Sequence, residues 1–206
     1  MYSYIMDQRI LIATNNAGKI VELCSMIAKL PLEVCGLADF PTVKDVAETG
    51  STFAENARLK AVGYALQTGQ ISLADDSGLE IDALDRRPGV LSARYGGEAT
   101  SFEDKMKMLL DELKNANSTD RSARFACAIA ISDRKGRILF ESEGICRGHI
   151  ALSPIGTGGF GYDPIFVPDG YEQTFGELSA AIKQNISHRA RAFSEIIPFL
   201  GQFSEY

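Results

Sequence analysis

The sequence predicts an α/β fold, a mixed twisted central sheet flanked by helices, in one domain spanning residues 1–206. Three observations point there. Short apolar runs such as Ile10-Leu11-Ile12-Ala13 and Ile165-Phe166-Val167 read as buried strands. Longer segments carry apolar residues at three- and four-residue spacing, the mark of amphipathic helices. The two kinds of segment mix without strict alternation, which gives a mixed sheet. With 45% hydrophobic and 23% charged residues, the chain can build one sizeable core or two small lobes sharing a sheet. No Pro/Ser-rich linker or repeat divides it.

In chain order, the strand at 10–13 enters a polar turn, Thr14-Asn15-Asn16-Ala17-Gly18-Lys19. A helix follows, with Ile20, Leu23, Cys24, Ile27 and Leu30 on one face and Pro31 to stop it. Thr52 with Glu55 makes a capping box for a second helix, which carries Phe53, Ala57, Ala61, Tyr64 and Ala65 and breaks at Gly69. Residues 71–74 read as a short strand, Asp75-Asp76-Ser77-Gly78 as a tight turn, and 79–81 as the return strand. Residues 86–100, with Pro88, Gly89, Gly96 and Gly97, read as a long loop. Ser101 caps a third helix bearing Phe102, Met106, Leu109, Leu110 and Leu113. Strands at 124–131 and 137–145 are joined by a turn at 133–136. A glycine-dense loop over 156–163, the strand at 165–167 and a helix starting near Ser187 complete the chain.

Composition excludes several classes of function. Residues 1–9 are polar and lack the apolar stretch of a signal peptide, and no apolar run is long enough to span a bilayer. A cytoplasmic protein with no membrane partner is expected. The net charge of −6 argues against general nucleic-acid binding, which needs a basic face. It leaves room for an anionic small ligand held by local cations, backbone amides and a bridging metal. Cys24, Cys35, Cys127 and Cys146 are scattered, form no C-x-x-C pair and do not cluster with His149 or His188. Buried reduced thiols are the expectation, ahead of a zinc site or a disulfide framework.

Polar groups gather at four turns, each beside an apolar element. At 14–19 a strand feeds a helix start whose N–H groups can face an anion, with Thr14, Asn16 and Lys19 adding donors and charge. It is not a P-loop, because Ala13 and Ile20 stand where glycine and Ser/Thr are required. An ordinary strand–helix turn fits this segment equally well. At Asp75-Asp76 two adjacent carboxylates follow an apolar strand, a costly placement without nearby positive charge. Alternation points their side chains apart, so one serves structure while the other faces a site, where hard oxygen ligands suit Mg²⁺. A plain Asx turn is the alternative. The run from Gly156 through Thr157, Gly158, Gly159, Phe160, Gly161, Tyr162 and Asp163 to Pro164 contains G-x-G-x-x-G, but no helix follows, which rules out a dinucleotide fingerprint. Glycines beside two aromatics instead let backbone approach a flat ligand, with the rings stacking on it. Finally, Lys183 with Ser187-His188-Arg189 puts cations near a helix start, where an anion is favoured. A surface ion-pair face would look the same.

In this order and register, these segments resemble the noncanonical purine nucleoside triphosphate pyrophosphatases, also called inosine triphosphate or XTP/dITP pyrophosphatases. The resemblance runs through Ala13-Thr14-Asn15-Asn16-Ala17-Gly18-Lys19, Glu48-Thr49-Gly50-Ser51-Thr52-Phe53-Ala54-Glu55-Asn56-Ala57 and Ala74-Asp75-Asp76-Ser77-Gly78-Leu79. It continues through Pro88-Gly89-Val90-Leu91-Ser92-Ala93-Arg94-Tyr95, residues 156–166, and Lys183 with Ser187-His188-Arg189. Asn15 replaces a residue often glycine in that family, and Ala47 stands where bacterial members often carry a second acid.

The resemblance implies two lobes around a nucleotide cleft, usually in a homodimer. It also implies Mg²⁺-dependent hydrolysis of ITP, dITP or XTP between the α- and β-phosphates, giving monophosphate and pyrophosphate and cleansing the nucleotide pool. By that analogy Thr14, Asn15, Asn16, Ala17, Gly18 and Lys19 hold the triphosphate. Asp76 is metal ligand and proton acceptor, with Glu48 a second acid at the metal. Ser77 touches the nucleotide, and Phe160, Gly161, Tyr162 and Asp163 form the base and sugar pocket. Lys183, His188 and Arg189 complete the site. A related pyrophosphatase of other base preference, or a nucleotide sensor without turnover, remains an alternative at this point; the Asp75-Asp76 pair disfavours the sensor.

Overall fold

The computed structural model describes residues 9–28, 30–116 and 118–201, so all of the polar start except Arg9 lies outside the described residues. The strands are β1 (Arg9–Ile12), β2 (Glu33–Gly36), β3 (Ile71–Ile81), β4 (Arg87–Pro88), β5 (Ser122–Ser132), β6 (Ile138–Ile150) and β7 (Phe166–Pro168). The helices are α1 (Ala17–Ile27), α2 (Phe53–Thr68), α3 (Phe102–Asn115), α4 (Ala180–Ile186) and α5 (His188–Gly201). Strand order is β2-β1-β3-β5-β6-β7, with β4 on β3. The β1–β2 and β1–β3 pairs are parallel, whereas β3–β4 and β6–β7 are antiparallel. The sheet is therefore mixed, as the pattern of elements predicts. Among the described residues no helix is long and apolar enough to cross a membrane.

Two compact units divide the chain. The described residues of Met1–Asp76, Ala128–Glu143 and Arg191–Tyr206 form one, and Ser77–Cys127 with Gly144–Ala190 the other. On its α2 side the first core is built mainly of small residues, where Ala57 and Ala61 pack with Leu11, Ala74, Ala128 and Ala130 from the strands. Larger side chains fill the second, including Leu109 of α3, Leu79, Phe125, Phe166 and Phe175. Cys35, Cys127 and Cys146 are buried and Cys24 is half-buried.

Local chemistry sets the helix ends. The Thr52 hydroxyl accepts the Glu55 N–H at 3.1 Å while the Glu55 carboxylate accepts the Thr52 N–H at 3.3 Å, so both halves of the capping box form. Gly69 closes α2 in the left-handed region, φ 66°. Ser101 caps α3 by accepting the Asp104 N–H at 3.1 Å.

The structure departs from the sequence expectation in five places. α1 ends at Ile27, where the Ala28 N–H bonds Cys24 O, and does not reach Pro31. β2 lacks the apolar run of a strand, having one buried residue, Cys35; it exists because β1 pairs with it. α4 is seven residues long and its only buried side chain is Lys183, so no apolar period announces it. Asp75-Asp76-Ser77-Gly78 is not a turn: β3 runs straight through it for 11 residues. Turn-forming residue types lose here to sheet pairing, and Gly78 serves close approach instead. A Cβ at Gly78 would lie 2.3 Å from Ser92 Oγ and 2.6 Å from Gly89 O. The expected 86–100 loop contains β4 and a 3₁₀ turn, Gly89–Leu91, which brings Ser92 against that glycine.

Gly78→Ala is therefore expected to destabilise the protein by about 1–3 kcal/mol, the range for overpacking a filled site. The denaturant midpoint measures it; an unshifted midpoint would mean that the Gly89–Ser92 turn yields freely.

Candidate active site

In the first unit β1 ends at Ile12, and Ala13 to Asn16 turn the chain into α1. Asn16 is the N-cap: its Oδ1 accepts the Lys19 N–H at 3.1 Å, and its own N–H donates to Thr14 Oγ1 at 3.2 Å. The amides of Ala17 and Gly18, as first-turn donors, have no intrahelical acceptor. Asn15 is exposed and its side-chain amide donates to Asp45 at 3.3 Å. Lys19 reaches back to β3, with Nζ 3.2 Å from Asp75 Oδ2.

Alternation along β3 sends the two adjacent carboxylates to different partners. Asp75, fully buried, meets Lys19 of α1. Asp76, 5% exposed, meets α2 instead. Lys60 Nζ lies 3.0 Å from Asp76 Oδ1 and 2.7 Å from Glu48 Oε1, so one ammonium joins both acids. Asn56, fully buried one helical turn before Lys60, donates to Asp76 Oδ2 at 3.2 Å and accepts the Gly50 N–H at 2.8 Å. Through these two residues α2 holds the Glu48–Gly50 segment and Asp76 together.

Burial alone would lower the Lys60 pKa, but the carboxylates of Asp76, Asp75 and Glu48 outweigh it and raise the value, keeping the ammonium charged. Burial pushes the Asp76 carboxyl above the ordinary carboxylate range, and Lys60 and Lys19 offset that only in part. That direction suits a proton acceptor.

Asn56 and Lys60 are the functional residues that sequence reasoning missed. A signal existed: they sit four residues apart on the face of α2 that also carries Ala57, Ala61 and Tyr64. A lysine on an apolar face beside an acidic strand is the partner that two buried carboxylates require.

The second unit brings together Ser77, Phe160, Asp163, Lys183 and Arg189. Gly159, at φ 69°, lets the chain fold tightly onto Asp163, whose Oδ2 would be 2.0 Å from any Cβ there. Asp163 Oδ2 accepts the Phe160 N–H at 2.7 Å and also pairs with Lys183 Nζ. The Phe160 ring, half-buried, has Lys183 Nζ 4.6 Å and Arg189 Cζ 5.7 Å from its centroid. Arg189, 1% exposed, donates to Ser77 Oγ at 2.8 Å. Gly161, at φ 66°, is half-buried.

One aromatic expectation changes. Tyr162 does not present its ring for stacking. It is 2% exposed, sits edge-on to Phe102 at 5.3 Å and donates its hydroxyl to Ser92 O at 2.9 Å. Only Phe160 of the two loop aromatics remains as a stacking surface. His188 lies 4% exposed and stacked on Phe125 at 4.7 Å, so its ring belongs largely to the core.

Fold and site together define a mixed α/β protein with a carboxylate–ammonium centre on the sheet and a glycine-built aromatic loop flanked by cations. The sequence pattern of the Ham1 family matches residues 10–199, and the chain belongs to that family. A dITP/XTP pyrophosphatase of Geobacillus kaustophilus is 48% identical over 189 residues, covering 92% of each chain. One of Nostoc sp. is 44% identical over 193 residues, covering 94% of each. The solved structure of a HAM1 protein from Coxiella burnetii superposes with TM-score 0.87 at 39% identity, covering 96% of this chain and all of that one.

Lys60→Met keeps the apolar stem and removes the charge, leaving Asp76 and Glu48 facing each other. About 3 kcal/mol of stability should be lost at neutral pH, the cost of breaking a buried pair. Denaturant unfolding without added divalent cation measures this. An unchanged midpoint would remove Lys60 as the balancing charge.

Proposed function

We infer that the chain is a dITP/XTP pyrophosphatase, hydrolysing deaminated purine nucleoside triphosphates to monophosphate and pyrophosphate. The observation that carries this reading is membership of the Ham1 family over nearly the whole chain, at 43–48% identity to dITP/XTP pyrophosphatases, with two adjacent acids, Asp75 and Asp76, buried on β3.

The cofactor assigned here is Mg²⁺, with Asp76 and Glu48 as its protein ligands. Their oxygens already converge on a single cation, at 3.0 and 2.7 Å from Lys60 Nζ. Among the described residues no group of three or more His, Cys, Asp or Glu side chains could hold a metal. Two carboxylates suit an ion that completes its shell from water and substrate phosphate. When bound, Mg²⁺ supplies positive charge to the triphosphate oxygens.

The chain's own residues do the rest. Thr14, Asn15, Asn16, Ala17 and Gly18 present hydroxyl, amide and helix-terminal donors to the phosphates. Lys19 adds a positive charge, held in place by Asp75, that stabilises the leaving pyrophosphate as its charge grows. Asp76 takes a proton from the water that attacks the α-phosphorus, and its raised pKa favours that role. In the second unit Phe160 stacks on the base, while Arg189 and the amides around Gly161 donate to a 6-oxo group. Ser77 and Arg189 bond each other beside the nucleotide. Asp163, Lys183, Tyr162 and His188 build the pocket from behind this surface. By the family resemblance we further propose a homodimer working in the cytoplasm; sedimentation velocity tests the dimer.

Asp76→Asn keeps the shape and removes the negative charge. Turnover should fall by about two orders of magnitude or more with folding nearly intact. Near-normal pyrophosphate release would sink Asp76 as proton acceptor.

Selectivity is tested by kcat/KM for ITP and XTP against ATP and GTP at equal Mg²⁺. Adenine carries an amino group where the favoured bases carry a 6-oxo acceptor, leaving buried donors unpaired. A preference of roughly a hundredfold is expected, with labelled γ-phosphate leaving inside pyrophosphate. Equal cleavage of ATP or GTP would remove the pool-cleansing role, and stepwise orthophosphate release would remove the pyrophosphatase reading itself.

A further inference from the structure

The segment Pro88-Gly89-Val90-Leu91-Ser92-Ala93-Arg94-Tyr95 has no part in the chemistry assigned above, yet it is tied into the second unit with unusual care. Ser92 is 5% exposed. Its hydroxyl accepts the Leu79 N–H at 3.0 Å and donates to Gly89 O at 2.6 Å. Its carbonyl accepts the Tyr162 hydroxyl at 2.9 Å. A second clamp holds the next residue: Lys105 Nζ donates to Ala93 O at 2.6 Å and lies 4.7 Å from the centroid of Phe102, the ring against which Tyr162 packs edge-on.

Ser92 thus bonds two pieces of chain, each two residues from a group that faces the nucleotide. Leu79 lies two residues beyond Ser77 on β3. Tyr162 lies two residues beyond Phe160 on the glycine loop. The absence of a side chain at Gly78 is what allows the approach, since a Cβ there would strike Ser92 Oγ. The Tyr162 phenol is itself pushed above its ordinary pKa by burial, so it remains a donor at any working pH.

We propose that Ser92 is a positioning residue for base recognition, fixing the Phe160 loop relative to Ser77 through the Leu79 N–H on one side and the Tyr162 hydroxyl on the other. The proposal rests on the pyrophosphatase reading and adds a specificity role for residues that touch no substrate. Tyr162 contributes through this tether and not through its ring face. Loosening the tether leaves the Lys19–Asp75 and Asp76–Lys60–Glu48 contacts in place, because the lysines that make them stand on α1 and α2. The loss should therefore fall on binding of the nucleoside end.

Ser92→Ala removes the hydroxyl bonds, and Tyr162→Phe removes the tether while keeping the ring packed on Phe102. Both are compared with the wild-type chain in ITP hydrolysis, with pyrophosphate as competing product. KM for ITP should rise about tenfold, the equivalent of one buried hydrogen bond. The effect should fall on KM more than on kcat, with pyrophosphate inhibition within about twofold of wild type. A purely structural role would lower the active fraction, cutting kcat at constant KM, and that result overturns the proposal. So does a parallel loss of pyrophosphate affinity, or an unchanged KM in both variants. Where the wild-type chain itself releases no pyrophosphate from ITP, the functional reading fails first. Where the wild type is active and the variants match it, the tether alone fails.

Discussion

Two adjacent carboxylates inside a sheet strand are the constraint around which the first unit is arranged. Asp75 and Asp76 are almost fully withdrawn from water, and an unpaired buried carboxylate would cost several kcal/mol. Strand alternation points the two side chains apart, and each pairs with a lysine from a different helix. α1 supplies Lys19 and α2 supplies Lys60. This requirement explains why α2 is a poor amphipathic helix by composition: Asn56 and Lys60 occupy its buried side where apolar residues would otherwise pack. The charges that make β3 tolerable are also those that a triphosphate and a divalent cation would engage. Stability and the proposed chemistry thus draw on one set of side chains.

The second unit solves a related problem with backbone. Asp163 is buried and accepts from both the Phe160 amide and Lys183. The close turn this needs is open only to glycine at position 159. The four-glycine segment is consequently a braced platform, with Lys183 and Arg189 lying against the Phe160 ring. A ring held that way keeps one orientation for a flat ligand and loses little conformational freedom when it binds.

Much of this was legible from local chemistry. The capping box at Thr52 and Glu55, the stop at Gly69 and the Ser101 cap each satisfy helix-end groups with neighbours three or four residues away, so α2 and α3 stand almost where the pattern puts them. The candidate triphosphate, carboxylate and aromatic segments were also visible, since each is a contiguous run of residue types suited to one task. The reading of Asp75-Asp76-Ser77-Gly78 as a turn failed for a specific reason. Asp, Ser and Gly are turn formers only when no neighbouring backbone offers a better set of hydrogen bonds, and here the sheet does. Tyr162 misled in the same way: an aromatic among glycines suggests an exposed ring, but Ser92, 70 residues away in sequence, draws its hydroxyl inward.

By itself, then, the sequence determined the α/β class, the caps and periodicity of the longer helices, and the residue types available for phosphate, metal and base. Only the tertiary structure decided which carboxylate meets which lysine, that Asn56 and Lys60 belong with Asp76 and Glu48, and that Tyr162 braces the loop from within. The division has a physical cause. Caps and helical faces are set by interactions within one or two turns, whereas partnering of buried charges depends on strand register and on which helix packs over which face. Those are settled only when the whole sheet assembles.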